Sequence, residues 1–398
     1  MKAVILAAGE GTRLWPFTYS EPKPMIPIAN KPILQYVVEA LVKQGVRDIV
    51  LVVGYKRERI QSHFGDGKHF GARIEYAFQT KQVGKAGTGY ALSMAKNHVK
   101  GEFLVLPGDN IIESATLAEI AKLKGNALLV TESPTPSKYG VVQMTGDSVA
   151  NIIEKPEMQI SNTISTGIYK FNESIFQYIE MANRAGQHRL TEAIQRLISM
   201  EHLGVVLTTG MWRDVVYPWD ITGMNAEALL RVEQHLAGTI EKGAYINGPV
   251  WLGDGCVVRS GAYINGPVIL GENCEVMPGA CIFPATSIGN NVVIGPHAVI
   301  THSVLMDNCS LGAAAHVSHS VLGYGVKLGP NTSVSPAKAR VEIEGEMKEI
   351  ESVGSMIGEE TDIGACSVVN GGLIIGPECK AAAGSRVWHN LPASAIIM

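Results

Sequence analysis

No cysteine occurs before residue 256, and the six that follow (Cys256, Cys274, Cys281, Cys309, Cys366 and Cys379) include no pair at CxxC spacing. That argues against a zinc site or a redox dithiol. Long apolar runs are missing too. The opening Ala3-Val4-Ile5-Leu6-Ala7 stops at Gly9, and Glu10 and Arg13 follow at once, too short for the core of an export signal. No stretch approaches the length of a transmembrane helix. Nor is there an excess of positive charge: 33 Lys and Arg face 37 Asp and Glu, a formal net charge of −4, which argues against nucleic acid as the main partner. The expectation is a cytoplasmic protein with no membrane and no nucleic-acid partner. What remains is ordinary globular composition, 46% hydrophobic and 18% charged over 398 residues, with room for two or three domains.

The two halves follow different patterns. Residues 2–7 are a short continuous apolar strand of the kind buried in a parallel sheet. Pro32 to Gln44 has apolar residues at helical spacing (Ile33, Val37, Ala40, Leu41) and Gly45 as a stop. Asp48–Gly54 is a second strand, and Glu102–Leu106 another, ending in Pro107-Gly108-Asp109-Asn110. Such alternation predicts an α/β domain with a mostly parallel, mixed sheet over residues 1–219. Ligands then bind beyond the carboxyl ends of its strands, where the Gly9–Arg13 loop and Asp109 both fall. Residues 220–242, with Met224, Leu229, Leu230 and Leu236, are expected to be a connecting helix.

After Gly243 a period of six takes over. Stepping from Leu252 gives Val258, Ile264, Leu270, Val276, Ile282, Ile288, Ile294 and Ile300, all aliphatic. The residues two before each, such as Val250, Cys256, Ala262 and Cys274, are mostly small. One-residue slips shift the phase to Leu305 and Leu322, and the pattern returns from Ile357 to Val387. A hexapeptide period predicts a parallel β-helix over residues 243–398. Four of the cysteines then become packing residues. Residues 336–354 interrupt the repeat, and the alternation Arg340-Val341-Glu342-Ile343-Glu344-Gly345-Glu346 predicts a hairpin turning at Gly345.

Gly9-Glu10-Gly11 after a strand suggests a phosphate cradle, because backbone amides approach an anion closely where side chains are absent. It is not a Walker loop, since GxxxxGK[ST] is missing. Nor is it the dinucleotide fingerprint, whose third glycine would stand at Leu14. Arg13, Lys23 and a strand-end Asp109 remain, with Asp214 in Trp212-Arg213-Asp214 as a second carboxylate. Fixed positive groups and a carboxylate for a divalent cation are what phosphoryl or nucleotidyl transfer needs. Taken singly, Arg13 and Lys23 also suit solvated charges, and Asp109 a turn.

Leu6-Ala7-Ala8-Gly9-Glu10-Gly11-Thr12-Arg13-Leu14, with Glu21-Pro22-Lys23-Pro24-Met25 and Asn30-Lys31-Pro32, resembles the motif of sugar-1-phosphate nucleotidylyltransferases. Gly87-Thr88-Gly89, Pro107-Gly108-Asp109, Tyr139-Gly140-Val141-Val142, Glu154-Lys155-Pro156, Thr166-Gly167-Ile168-Tyr169 and Trp212-Arg213-Asp214 keep the family order. With the repeats behind them, the whole chain resembles archaeal-type bifunctional enzymes that join a uridylyl- or thymidylyltransferase to an amino-sugar-1-phosphate acetyltransferase. The resemblance implies a Rossmann-like nucleotidyltransferase domain followed by a left-handed β-helix. It implies transfer from UTP or dTTP to glucose- or N-acetylglucosamine-1-phosphate. It places Leu6, Ala8, Gly9, Gly11 and Thr12 at the triphosphate, with Arg13 and Lys23 neutralising it. Asp109 and Asp214 would hold Mg²⁺, and Gln79 (or Gln82), Gly87 and Thr88 would meet the base. Gly140, Glu154, Lys155, Ser165 and Thr166 would line the sugar-phosphate site. Ser165 departs from the asparagine common there.

For the second half, the resemblance places His316 as an acetyltransferase base using acetyl-CoA, with His319 where a tyrosine is usual, although His316 suits a surface histidine on a solenoid face equally well. It also implies a homotrimer or a dimer of trimers. The competing reading is a non-catalytic nucleotide-sugar-sensing or assembly subunit of the same architecture. Such subunits tend to lose the arginine, lysine or metal aspartates, all of which this sequence keeps.

Overall fold

In the computed structural model, residues 1–80, 87–158, 160–343 and 345–398 are described. The chain divides into two compact units: residues 1–10 with 33–214, and residues 11–32 with 215–398.

The first unit is built on a nine-stranded mixed sheet with a core of buried aliphatic and aromatic side chains. Its strands are β1 (Lys2–Ala7), β2 (Asp48–Val53), β3 (Arg73–Phe78), β4 (Phe103–Pro107), β6 (Ala127–Glu132), β7 (Gly140–Thr145), β8 (Ser148–Glu154), β9 (Thr163–Phe171) and β10 (Gly204–Leu207). A separate pair is formed by β5 (Asn110–Ile112) and β11 (Trp212–Asp214). The sheet order is β3-β2-β1-β4-β9-β6-β10-β8-β7. Strands β3, β2, β1 and β4 run parallel, as the continuous apolar sequences of β1, β2 and β4 predict, while β9 is antiparallel to both neighbours β4 and β6. The helix predicted after the opening loop spans Ile33–Lys43, and Gly45 takes a φ of 78° just beyond its end, the left-handed stop that glycine adopts without steric cost.

The second unit is a β-helix of three parallel sheets with eight, nine and eight strands. Register follows the repeat: Ile264 pairs with Ile282, and Ile282 with Ile300. The one-residue slips are real, since Ile294 pairs with Leu311 and Leu311 with Leu328, a step one residue shorter. Cys256, Cys274, Cys309 and Cys379 are buried free thiols in the stack, packing residues as expected. The excursion is a hairpin of Ala337–Ile343 against Glu346–Val353. The coil resumes across it, with Val334 paired to Val369.

Two features differ from the sequence reading. The helix expected over 220–242 occupies only Asp220–Leu229, and strands of the solenoid begin at His235–Leu236, which pairs with Trp251–Leu252. The reason is local: His235 stacks on Trp251 with ring centroids 4.1 Å apart, so the stretch is drawn into the ladder. Residues 11–32, which follow β1 in the chain, cluster with the second unit.

Candidate active site

In the first unit, glycines bring strand ends together. The Gly108 amide donates to the Leu6 carbonyl at 2.9 Å, and the Tyr55 amide to the Ala8 carbonyl at 3.2 Å. A side chain on Gly54 would start 2.8 Å from the Ala8 oxygen, so β2 must end in glycine. Sequence reasoning passed over Gly54 and Gly108 as functional supports, although a glycine at each neighbouring strand end was the available signal. Gly9 is different. A Cβ there meets nothing within 4 Å, so its lack of a side chain leaves backbone open rather than satisfying packing.

Beyond β4, the chain turns through Gly108-Asp109 into β5, which pairs antiparallel with β11. Asp214 lies opposite Asn110, so the two predicted metal carboxylates sit on adjoining strand ends. No group of three or more His, Cys, Asp or Glu side chains poised for a metal occurs among the described residues. Two carboxylates nonetheless fit Mg²⁺, which keeps several waters and takes further oxygens from substrate phosphates.

The predicted sugar-site residues gather on β7, β8 and β9. Glu154 pairs with Gly140 across β7 and β8, and a Cβ on Gly140 would lie 3.4 Å from a Glu154 carboxylate oxygen. The Lys155 amide donates to the Tyr139 carbonyl at 3.0 Å, with Lys155 at a φ of 44°. Strand β9 bulges between Ser165 and Tyr169, and Gly167, at a φ of 77°, packs against Pro107. Within the bulge the Thr166 hydroxyl donates to the Leu129 carbonyl at 2.7 Å, and Asn110 donates through Nδ2 to the Thr166 carbonyl at 3.3 Å. Asn110 thus ties the bulge of β9 to the strand that follows Asp109, a support that sequence reasoning missed. The Ser165 hydroxyl lies 3.1 Å from the Tyr169 hydroxyl. Burial pushes the Tyr169 phenol up to about 12, against the lowering effect of Ser165, and the Glu154 charge raises it further. The phenol therefore stays protonated near neutral pH.

The predicted base-contact residues are partly occupied by packing. A Cβ on Gly87 would lie 2.4 Å from the His188 carbonyl oxygen, and the Thr88 hydroxyl accepts from the Leu190 amide at 3.1 Å. Gln79 directly follows β3, its amide donating to the Val53 carbonyl at 2.9 Å. Gln82 lies outside the described residues.

In the second unit, Arg13 sits on a short turn, Thr12–Leu14, and Lys23 on another, Lys23–Met25. Gly11 takes a φ of 68°, and a Cβ there would fall 2.6 Å from the Lys23 Cβ. Gly11 is therefore glycine for two reasons, its left-handed backbone and the lysine stem lying against it. His316 is in the solenoid ladder between Val299 and Ser333. Its Nδ1 is buried and has no hydrogen-bond partner among the described residues. His319, in the tyrosine position, is engaged by the Ser318 hydroxyl at 2.9 Å and stacks on His302.

Residues 2–229 match the nucleotidyl transferase family model, and residues 264–380 match the GMPPB C-terminal domain. The bifunctional protein GlmU of Methanococcus maripaludis strain C7 is 38% identical over 408 residues, covering 100% of this chain and 97% of its own. A bifunctional sugar-1-phosphate nucleotidylyltransferase/acetyltransferase of Sulfurisphaera tokodaii is 34% identical over 267 residues, 65% of this chain and 64% of its own. Among solved structures, a putative glucose-1-phosphate thymidylyltransferase from Bacillus anthracis, in complex with a sucrose, aligns with a TM-score of 0.53 at 27% identity. It covers 57% of this chain and 95% of its own.

Proposed function

Because the chain belongs to the nucleotidyl transferase family, we propose that it transfers a nucleotidyl group from UTP or dTTP to glucose- or N-acetylglucosamine-1-phosphate, releasing pyrophosphate. The observation that carries this reading is the pairing that seats Asp214 opposite Asn110, beside Asp109. An acidic pair beyond a parallel strand end suits a metal–triphosphate substrate, and the Ser165–Tyr169 bulge is tied to it through Asn110.

The nucleophile is a phosphate oxygen of the sugar-1-phosphate. It forms a bond to the α-phosphorus, and the α–β bridging oxygen leaves with its electron pair as pyrophosphate. The attacking oxygen is already anionic near neutral pH, so no protein nucleophile or general base is needed. Catalysis is positioning and charge neutralisation. Open backbone at Gly9, with Leu6, Ala8, Gly11 and Thr12, holds the triphosphate. Arg13 and Lys23 neutralise charge as pyrophosphate departs. Gln79 and the Gly87-Thr88 backbone meet the pyrimidine, a contact that suits both nucleotides. Gly140, Glu154, Ser165 and Thr166 orient the sugar, and Lys155 its phosphate. Asp109 and Asp214 would hold Mg²⁺, which supplies charge neutralisation on phosphate oxygens when bound.

The divisions that accompany this reading are a nucleotidyltransferase domain over 1–219, a connector that includes the helix Asp220–Leu229, and a left-handed β-helix whose strands begin at His235. The solenoid assembles as a trimer or a dimer of trimers, supported by the outward-facing and exposed Tyr245, Trp251, Val368 and Trp388. A second activity rests on the unpartnered His316 Nδ1. The imidazole takes the proton of an amino-sugar-1-phosphate amine as the amine attacks the acetyl-CoA carbonyl, and the CoA thiolate leaves.

The test is pyrophosphate release with Mg²⁺, crossing the four ribonucleoside triphosphates and dTTP with glucose-, N-acetylglucosamine-, glucosamine- and mannose-1-phosphates. Release confined to a pyrimidine triphosphate and one or two sugars is expected. No release from folded protein that still binds a nucleotide sugar supports the sensing subunit instead. Thiol release from acetyl-CoA with glucosamine-1-phosphate, lost in His316→Ala, tests the second activity.

A further inference from the structure

We infer that the β-helix unit sets the position of the loop bearing Arg13 and Lys23, and that Asn225 is the positioning residue through which it does so. The inference rests on the proposed nucleotidyl transfer and deepens it.

The loop ends in two short antiparallel strands, Pro27–Ile28 and Lys31–Pro32. The two residues between them, Ala29 and Asn30, both have positive φ, 47° and 59°. A two-residue hairpin of this kind ordinarily takes Asn-Gly or another glycine-containing pair. Alanine in the left-handed region is not chosen by backbone preference, so the turn is held from outside.

Asn225 supplies the hold. Its side chain is fully buried on the helix Asp220–Leu229. Its Oδ1 accepts from the Ala29 amide at 2.9 Å and from the Ser287 hydroxyl at 2.7 Å, and its Nδ2 donates to the Ala285 carbonyl at 3.1 Å. The other turn residue, Asn30, donates through Nδ2 to the Ile288 carbonyl at 2.5 Å. Ala285, Ser287 and Ile288 belong to one coil of the solenoid. A different coil holds the loop at Ser20, whose hydroxyl donates to the Glu359 carboxylate.

Lys23 lies between these two anchors. The intervening chain is stiff: Pro22, Pro24 and Pro27 fix φ, the Met25 amide donates to the Pro22 carbonyl at 2.8 Å, and the Ile26 amide to the Lys23 carbonyl at 3.2 Å. Movement at either anchor is therefore passed to the lysine, and to Gly11, against which its stem packs. Neutralising charge at a triphosphate depends on placement of fixed groups, so loosening the anchors acts on the nucleotide and not on the sugar phosphate.

The test uses the full-length chain at a temperature below the melting point of every variant. Asn225→Ala is expected to lower kcat by about 10- to 100-fold and raise KM for the triphosphate, with KM for the sugar-1-phosphate unchanged. Asn225→Asp keeps an oxygen for Ala29 and Ser287 but loses the donor to the Ala285 carbonyl, and is expected to recover part of that loss. A purely structural asparagine would lower Tm and leave kcat and both KM values at wild-type levels, which overturns the inference. If Asn225→Ala does not fold, Ser287→Ala and Glu359→Ala remove one bond from each anchor, with the same split expected and the same result overturning it. A wild-type protein without turnover defeats the proposed function. Wild-type turnover with unaffected variants defeats only the role of Asn225.

Discussion

The stem of Lys23 lies directly against Gly11, where a Cβ would come within 2.6 Å of the lysine's own Cβ. The lysine proposed to neutralise the triphosphate is thus packed on the glycine of the loop proposed to cradle it. Gly11→Ala forces that stem away and strains a backbone with a φ of 68°. The expected outcome is a loss of stability of about 1–2 kcal/mol and a fall in kcat of about 10-fold or more, read by thermal melting and steady-state kinetics. A variant with wild-type kcat would place Lys23 outside the reaction.

Asp109→Asn and Asp214→Asn keep size and remove charge at adjoining strand ends. Each is expected to lower Mg²⁺-dependent turnover by on the order of 100- to 1000-fold with unchanged circular dichroism. Near-normal activity in either would sink the metal assignment for that residue.

Tyr169→Phe removes the hydroxyl hydrogen-bonded to the Ser165 hydroxyl. A loss of about 1 kcal/mol of stability is expected, with a several-fold rise in KM for the sugar-1-phosphate and none for the triphosphate. Equal effects on both substrates would mean the bulge is a general support and not a sugar contact.

The stacked imidazoles His302 and His319, with ring centroids 4.6 Å apart, give a pH dependence of known sign. Burial holds both below the ordinary value of 6.5, and for His302 the charge of His319 adds to the lowering. The unfolded chain therefore binds protons first. Their contribution to stability is complete above 6.5 and is lost as pH falls through the lowered folded values. Melting temperatures between pH 8 and 5 should fall less steeply in His302→Gln/His319→Gln than in the wild type. Parallel curves would remove the pair as the cause.

The solenoid was readable because a period of six places one aliphatic and one small residue inward per face, and even the one-residue slips at Leu305 and Leu322 survive as register steps. The hairpin was readable from alternation. The helix after Asp220 was overextended because apolar spacing at Leu230 and Leu236 does not reveal that His235 stacks on Trp251. The carboxylates proposed to hold Mg²⁺ carried a motif, but their adjacency depends on the pairing of β5 with β11, between segments far apart in sequence. Gly87 looked like a ligand contact, whereas its missing side chain also makes room for the His188 carbonyl. Least legible was the grouping of residues 11–32 with the solenoid, since buried Asn225 carries no sequence mark of its partner Ala29.

The measurement that bears most directly on the central claim is transfer of label from UTP or dTTP, labelled at the α-phosphate, to a sugar-1-phosphate in the presence of Mg²⁺. Label is expected in a nucleotide sugar, formed in step with pyrophosphate and lost in Lys23→Ala and Asp109→Asn. Folded protein that binds nucleotide sugar yet leaves all label in the triphosphate with every sugar-1-phosphate would contradict the account.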